Sequence, residues 1–436
     1  MSNERLTHGR LASASRWRLL FLAVQGTAGL ALFSALGHIL PHRAFAATAI
    51  AQGVIVIAQS IGDFGLSQAA VTVLPARIAA APADGDELIA GAARAYLGAT
   101  CVGLLLTGAI AAFVPSAAAG PVAVSALGAA AAIVVAGADG LLRSRGEFRR
   151  PLALMASSEL AGFAGLPVAI TTHSALATCA AVGGGMALGS LPAAITLVRF
   201  IALRPQAPLG PFVRAGVPLG LSQVFISLAT RADTLLAGLV SGLVAGATFE
   251  GCWRIYQLSQ YVAGGVASAA APFIADALGG GRPYDALRIL RAMSLRLLML
   301  GIAGGGILYL GRTPIADLLA GTLGTQVARA LPALAIVSPL QALSLAAYYT
   351  LIGRDGQRRL VLAAIIAGAV VNLALAAPLG RELGGRGIVI GCACGQAATA
   401  LLLLAAALPF VRRTRRDASQ HAASADVPPG LARPLR

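Results

Sequence analysis

Arg145-Gly146-Glu147-Phe148-Arg149-Arg150 lies between two long apolar runs, and about two hundred residues later Arg354-Asp355-Gly356-Gln357-Arg358-Arg359 lies between two more. A second echo pairs Gln52, Gln59, Pro75 and Arg94 with Glu250, Gln257, Pro272 and Arg291, in the same order. Matches at nearly one offset, in corresponding places between hydrophobic spans, predict two homologous halves, the build of a pore or carrier. The halves meet near Arg204 to Pro211.

Working outward, 57% of the residues are apolar, 11% are charged and the mean hydropathy is +0.80, values that belong in lipid. Backbone groups in a bilayer must satisfy one another, so each crossing needs a helix of about 20 apolar residues. The expected fold is an all-α integral membrane protein of twelve transmembrane helices in two pseudo-symmetric six-helix bundles. The first bundle, 19–203, has spans at Leu19–Gly37, Phe45–Val73, Tyr96–Val114, Pro121–Leu142, Leu152–Thr172 and Ala175–Ala202. The second, 212–411, has spans at Phe212–Val240, Gly246–Ala275, Leu295–Leu310, Ala328–Ile352, Leu360–Pro378 and Gly387–Val411. Residues 1–18 form an N-terminal segment, 204–211 a linker, and 412–436 a disordered tail.

The formal net charge is +16, carried by arginine alone, since the chain has no lysine. The basic residues follow topology and are not interleaved with stacking aromatics, which argues against nucleic acid. With the N-terminus cytoplasmic, the opposite face receives only Arg43, Arg312, Arg329, Arg381 and Arg386. That asymmetry places both termini in the cytoplasm. Ala44-Phe45-Ala46 resembles a processing site, but the apolar run before it is long for a signal peptide, so it is read as a retained first span.

Polar residues concentrate in spans one, two, seven and eight, which predicts a shared wet cavity. Gln52, Gln59 and Asp63 form one helical stripe, and Glu250, Arg254, Gln257 and Tyr261 another. Arg231 lies about 25 Å along its helix from Arg214, which puts it and Asp233 in the outer bilayer half, with Glu250 and Arg254 at similar depth. Two readings stand. Glu250 and Arg254 neutralise one another, with Arg231 finding Asp233 or Glu250, as a structural lock. Alternatively, Arg231 and Arg254 meet an anionic head group while Asp63, Asp233 or Glu250 takes up a proton or cation. Asp139 is read as an interface residue. Glu159, about 13 Å in from Arg150, is either structural or a proton carrier.

Several chemistries are excluded. Without lysine there is no Walker A loop, Schiff base or lysine-borne cofactor. The five histidines are scattered, and the five cysteines fall in apolar spans as packing residues, so neither a metal nor any other cofactor is expected. Gly183-Gly184-Gly185 and Gly304-Gly305-Gly306 lie inside apolar helices and are read as close-packing or hinge points.

Gly62-Asp63-Phe64-Gly65-Leu66 in span two resembles a segment common in Wzx-type polysaccharide and O-antigen flippases, within the multidrug/oligosaccharidyl-lipid/polysaccharide (MOP) exporter superfamily. Arg231-Ala232-Asp233, Trp253-Arg254-Ile255, Pro272 and Gly353-Arg354 are similar to the same family, and the likeness covers the membrane region. The chain departs from the pattern in lacking lysine and in having Phe249 where tyrosine is common. The resemblance implies a transporter, not an enzyme, in the bacterial cytoplasmic (inner) membrane. It would turn an undecaprenyl-pyrophosphate-linked oligosaccharide from the cytoplasmic to the outer leaflet by rocking of two bundles. It implies coupling to a proton or sodium ion, and membrane lipid and polysaccharide polymerase or assembly proteins as partners. Arg231 and Arg254 are then head-group candidates. Gln52, Gln59, Gln257 and Gln260 offer sugars donors and acceptors, and Trp253, Tyr256 and Tyr261 offer ring faces. Asp63, Asp233, Glu250 and Glu159 are the ion-coupling candidates.

A multidrug antiporter of the same superfamily is the alternative; it needs a more apolar cavity. A major-facilitator carrier lacks support because residues 75–94 do not carry Gly-x-x-x-Asp-Arg-x-Gly-Arg-Arg. A membrane polysaccharide polymerase or ligase would need a sizeable catalytic outer loop, and the outer loops here are short.

Overall fold

A computed structural model describes residues 2–72, 74, 84–204, 210, 212–213, 220, 233–279, 283–352 and 358–425, and among them there is no strand. Helix α1 runs over Ser2–Ile39, α2 over His42–Asp63, α3 over Leu66–Thr72 and α4 over Gly85–Ala111. They are followed by α5 (Ser116–Val124), α6 (Ala126–Ser144), α7 (Arg149–Gly162), α8 (Gly165–Thr172), α9 (Ala175–Gly189) and α10 (Leu191–Leu203). The second half has α11 (Leu243–Gly279), α12 (Pro283–Leu310), α13 (Arg312–Ala320), α14 (Gly324–Ala330), α15 (Pro332–Ile352), α16 (Arg358–Leu383) and α17 (Gly385–Ala425).

Among the described residues, nine helices are long and apolar enough to cross a membrane, ten if the bent pair α9–α10 counts as one span. The bend of 43° falls at Ser190. There Pro192 has no N–H to continue the ladder, and the Ser190 hydroxyl donates to the Ala187 carbonyl at 2.8 Å. Span eight is helix α11. Its 37 residues reach about 55 Å at 1.5 Å each, ample for a bilayer. Most of span seven lies outside the described residues.

Some boundaries differ from expectation. The helix of the ninth span begins at Pro283 and its membrane-crossing stretch at Leu287, not Leu295, with Arg288, Arg291 and Arg296 inside the same helix. The connection to span ten is built from α13, a 3-10 turn (Gly321–Leu323) and α14 rather than an open loop. Residues 412–425 extend α17, where a disordered tail was expected; arginine, alanine and glutamine are good helix formers and carry the last membrane helix onward. At the other end, α1 is helical from Ser2, so the N-terminal segment is continuous with the first span.

The helices pack as two bundles. In the first, α2, α4, α6, α7, α9 and α10 enclose a core around Tyr96, Ile133 and Leu141. In the second, α11, α12, α15, α16 and α17 pack together, with Tyr256 and Phe249 among its most buried side chains. Leu105, Phe113 and Leu310 point outward at 75%, 74% and 83% exposure, an arrangement that is stable only against acyl chains.

The bundles touch along α2 with α11 and along α1 with α11 and α13. Span two and its repeat partner span eight therefore meet each other. The contact is tight toward the C-terminal end of α1, where the Ser34 hydroxyl donates to the Leu318 carbonyl at 2.7 Å. Gly53 is required at this seam. A Cβ there would lie 3.0 Å from both Glu250 Oε2 and Thr234 Cγ2 across the bundle boundary.

Gly53→Leu is accordingly expected to destabilise the protein by about 1–3 kcal/mol through overpacking. Gly306→Leu, at a position with nothing within 4 Å of an added Cβ, is not. Thermal unfolding of both variants in detergent measures the difference; equal melting points would show that the seam tolerates bulk.

Candidate transport cavity

Helix α11 presents its charged stripe to the first bundle. Glu250 is fully buried, and the Arg254 Nε donates to its Oε1 at 2.8 Å. The Thr234 hydroxyl donates to the other oxygen of Glu250 at 3.0 Å. Arg254 also crosses the boundary. Its Nη1 donates to the Gly29 carbonyl of α1 at 3.2 Å, and its guanidinium lies 4.9 Å from the Phe33 ring centroid, in cation–π range. Gly29 is at the middle of the span Leu20–Ile39, and Gly53 at the middle of α2. The charge pair therefore sits near the bilayer midplane, deeper than the outer-half placement expected from sequence.

Around this pair lies a cavity of about 200 Å³ between the bundles, bordered by Gln25, Gln52, Gln59, Glu159, Arg254, Gln257 and Tyr261. Six of these seven belong to the set expected from sequence; Gln25, one α1 turn before Gly29, is the addition. Glu159 forms no ion pair among the described residues but lies within electrostatic reach of Arg254. A second chamber, of about 240 Å³, opens inside the first bundle and shares Gln25, Gln59, Ala132, Glu159 and Met186 with the central cavity. Its floor holds Asp139 and Arg143, paired at 2.5 Å.

A third space, about 1070 Å³, is a groove between α1, α11 and α12. Its walls are almost wholly apolar, with Arg296 the one charged residue among the described residues bordering it. Gly26, Leu258 and Tyr261 border both the groove and the central cavity. A Cβ on Gly26 would lie 2.9 Å from the Tyr261 ring, so the absent side chain makes room for the tyrosine at the neck.

The remaining expected residues lie elsewhere. Trp253 and Tyr256 do not border the cavity. They are 7% and 1% exposed and pack in the second bundle, Trp253 stacked on Phe249 at 6.2 Å. The helical period explains the correction: residues 254, 257 and 261 face α1 and α2, and residues 249, 253 and 256 face their own bundle. Gln260 also turns inward, donating to Ser338 Oγ at 3.2 Å. Asp233 is fully buried in the second bundle and accepts from Asn372 Nδ2 at 2.7 Å. Asp63 borders none of the three spaces. The chain reverses at Phe64 (φ 38°) and Gly65 (φ 73°), and the Asp63 carboxylate caps the following helix, accepting from Ser67 N at 3.2 Å and Ser67 Oγ at 2.6 Å. Arg231 lies outside the described residues.

Asp139, read from sequence as an interface residue, and Arg143, which carries no site signal beyond its charge, prove to be chamber residues. Phe33 and the Gly29 carbonyl carry no signal at all. Only the crossing of α1 over α11 brings them to Arg254.

Two helical bundles around a polar, arginine-bearing cavity at mid-membrane define a membrane transporter. The chain belongs to the polysaccharide biosynthesis protein family, whose family model matches residues 16–278, more than half of the chain. It is thus a member of the MOP superfamily, with the Wzx-like flippases. The MatE family model matches residues 218–377. Solved structures agree in fold. The inward-facing conformation of a multidrug resistance MATE family transporter superposes with a TM-score of 0.73 at 19% identity, over 91% of this chain and 98% of that one. An outward-facing conformation of such a transporter gives 0.63 at 19%, over 93% and 96%. A MOP superfamily transporter from Pyrococcus furiosus, described as having a binding pocket of reversed polarity, gives 0.66 at 20%, over 94% and 95%. No curated protein sequence matches the chain.

Glu250→Leu is expected to cost about 3–5 kcal/mol, because it strands the Arg254 charge in a low-dielectric seam. Glu250→Leu/Arg254→Met should recover most of that loss while abolishing transport. Melting temperatures in detergent check the pair; a single variant as stable as the double would show that the two charges are not coupled.

Proposed function

We propose that this transporter moves a lipid-linked oligosaccharide from the cytoplasmic to the outer leaflet of the bacterial inner membrane, for assembly of a cell-surface polysaccharide. The observation that carries the reading is that two unlike spaces adjoin at Tyr261: a cavity bearing Arg254, Glu159 and four glutamines, and a large apolar groove beside it. A pyrophosphate-linked saccharide on a polyprenyl tail has the same two halves. Its head cannot cross hydrocarbon without polar partners, and its tail loses nothing by remaining in an apolar groove.

Arg254 receives the pyrophosphate, by exchanging its contact with the Gly29 carbonyl for phosphate oxygens. Gln52, Gln59 and Gln257 supply donors and acceptors to the sugars, and Tyr261 a ring face at the neck. With both termini cytoplasmic, the orientation the arginine distribution favours, the groove and Arg296 lie toward the cytoplasm and the Ser34–Leu318 seam toward the outside. The bundles are then in an inward-open arrangement. Binding of the head group at Arg254 loosens its hold on α1 and favours rocking to the outward-open state. Arg231, which shares span seven with Asp233, assists at the head group.

Glu159 is the coupling carboxylate best supported by position, since it borders both polar spaces and reaches Arg254 electrostatically. A proton taken up there alters the field at Arg254 and so couples ion to substrate. Asp63, Asp233 and Glu250 serve to cap a helix, to order the second bundle and to hold Arg254.

The experiment is flipping of an undecaprenyl-pyrophosphate-linked oligosaccharide in proteoliposomes, beside efflux of a fluorescent organic cation. Lipid flipping without cation efflux is the expected result; the reverse would establish a multidrug antiporter. Arg254→Ala should lower flipping at least tenfold. Glu159→Gln should make the remaining rate indifferent to an imposed pH gradient, and a persisting gradient dependence would remove Glu159 from the coupling.

A further inference from the structure

The chamber inside the first bundle enters the reading above only through Gln59 and Glu159, which it shares with the central cavity, yet its walls are built for a ligand. It holds about 240 Å³, room for about eight waters at roughly 30 Å³ each, or for one hexose-sized ring. Its polar groups come in both senses. Gln25 and Gln59 each bring a donor and an acceptor, Glu159 accepts, and the Arg143 guanidinium beside Asp139 adds donors. Phe21, from α1, borders the same space with an apolar ring. Alternating hydroxyl partners with one apolar face are what a pyranose, hydroxylated at its rim and C–H-bearing on its faces, requires.

Charge selects the kind of ligand. Arg143 is already paired with Asp139, and Glu159 adds a carboxyl rather than a cation, so the described wall has no unpaired cation to meet a phosphate, which belongs at Arg254. The space is also far larger than an ion, and no group of three or more metal-ligating side chains occurs among the described residues. Gln25, Gln59 and Glu159 border both the chamber and the cavity that holds Arg254, so the two spaces are neighbours. A ring entering the chamber is adjacent to an anion held by Arg254.

We propose that this chamber is a subsite for a single sugar, the one joined directly to the pyrophosphate, and that its volume limits which proximal sugar the transporter accepts. The inference rests on the lipid-linked saccharide reading of the protein.

Ala136 borders the chamber and neither of the other two spaces, which makes it the position to probe. Ala136→Cys is made together with Cys101→Ser, which removes an exposed native thiol. The folded, purified protein is then modified with a benzyl methanethiosulfonate, so that plugging the chamber does not depend on folding around added bulk. Two probes are compared, undecaprenyl pyrophosphate and the undecaprenyl-pyrophosphate-linked oligosaccharide extracted from native membranes. The sugar-bearing lipid should slow modification at least fivefold and the sugarless lipid should not. After modification, affinity for the sugar-bearing lipid should fall at least tenfold, with affinity for the sugarless one held within twofold. Equal protection by both lipids, equal loss of affinity for both, or a thiol that never reacts would overturn the subsite. Failure of the unmodified protein to bind either lipid would instead overturn the functional reading on which it rests.

Discussion

The Glu250–Arg254 pair at mid-membrane is the constraint on which the architecture turns. Two charges in a medium of low dielectric are tolerable only together and only with their remaining hydrogen bonds made. Glu250 is completed by Thr234, and Arg254 by a carbonyl and an aromatic ring from the other bundle. The pair therefore fixes the distance between the bundles as well as its own geometry. Gly53, with no side chain to intervene, is the corresponding requirement on the opposite helix.

Satisfying a cation with a backbone carbonyl gives a contact that a better acceptor can replace. A phosphate oxygen carries more negative charge than the Gly29 carbonyl, and the exchange would release α1 from α11 without exposing the guanidinium to hydrocarbon. One contact can thus serve as both structural latch and ligand sensor. The other end of α1, bound through Ser34 to Leu318, does not include a charged group and holds the bundles together at the far side of the membrane.

Polarity is graded across the molecule. An apolar groove adjoins the Arg254 cavity at Tyr261, and that cavity in turn adjoins a slightly larger chamber that bears amides, carboxylates and the Arg143 guanidinium. Exposed leucines such as Leu105 and Leu310 lie on the outside of the bundles, whereas the polar groups among the described residues gather between and within them. Such a gradient suits an amphiphile better than a uniformly polar or uniformly apolar solute.

Composition, spacing and the repeated arginine loops determined that the chain is helical, lies in a membrane and consists of two related halves, because hydrophobic periodicity and internal repetition are properties of the chain alone. The stripe from Glu250 to Tyr261 was legible for the same reason, since a single helix fixes its own faces. What lay across from that stripe was legible only in part. Gln52 and Gln59 come to Arg254, while Asp63 turns away, because the chain leaves the helix at Phe64 and Gly65 and spends the carboxylate on a cap. Trp253 and Tyr256 carry the chemistry of a sugar site but face a core, and Asp139 and Arg143 carry that of a lock but border a chamber. Such assignments depend on which helices become neighbours and how each is rotated, and only tertiary packing, minimising buried charge and empty space together, decides that.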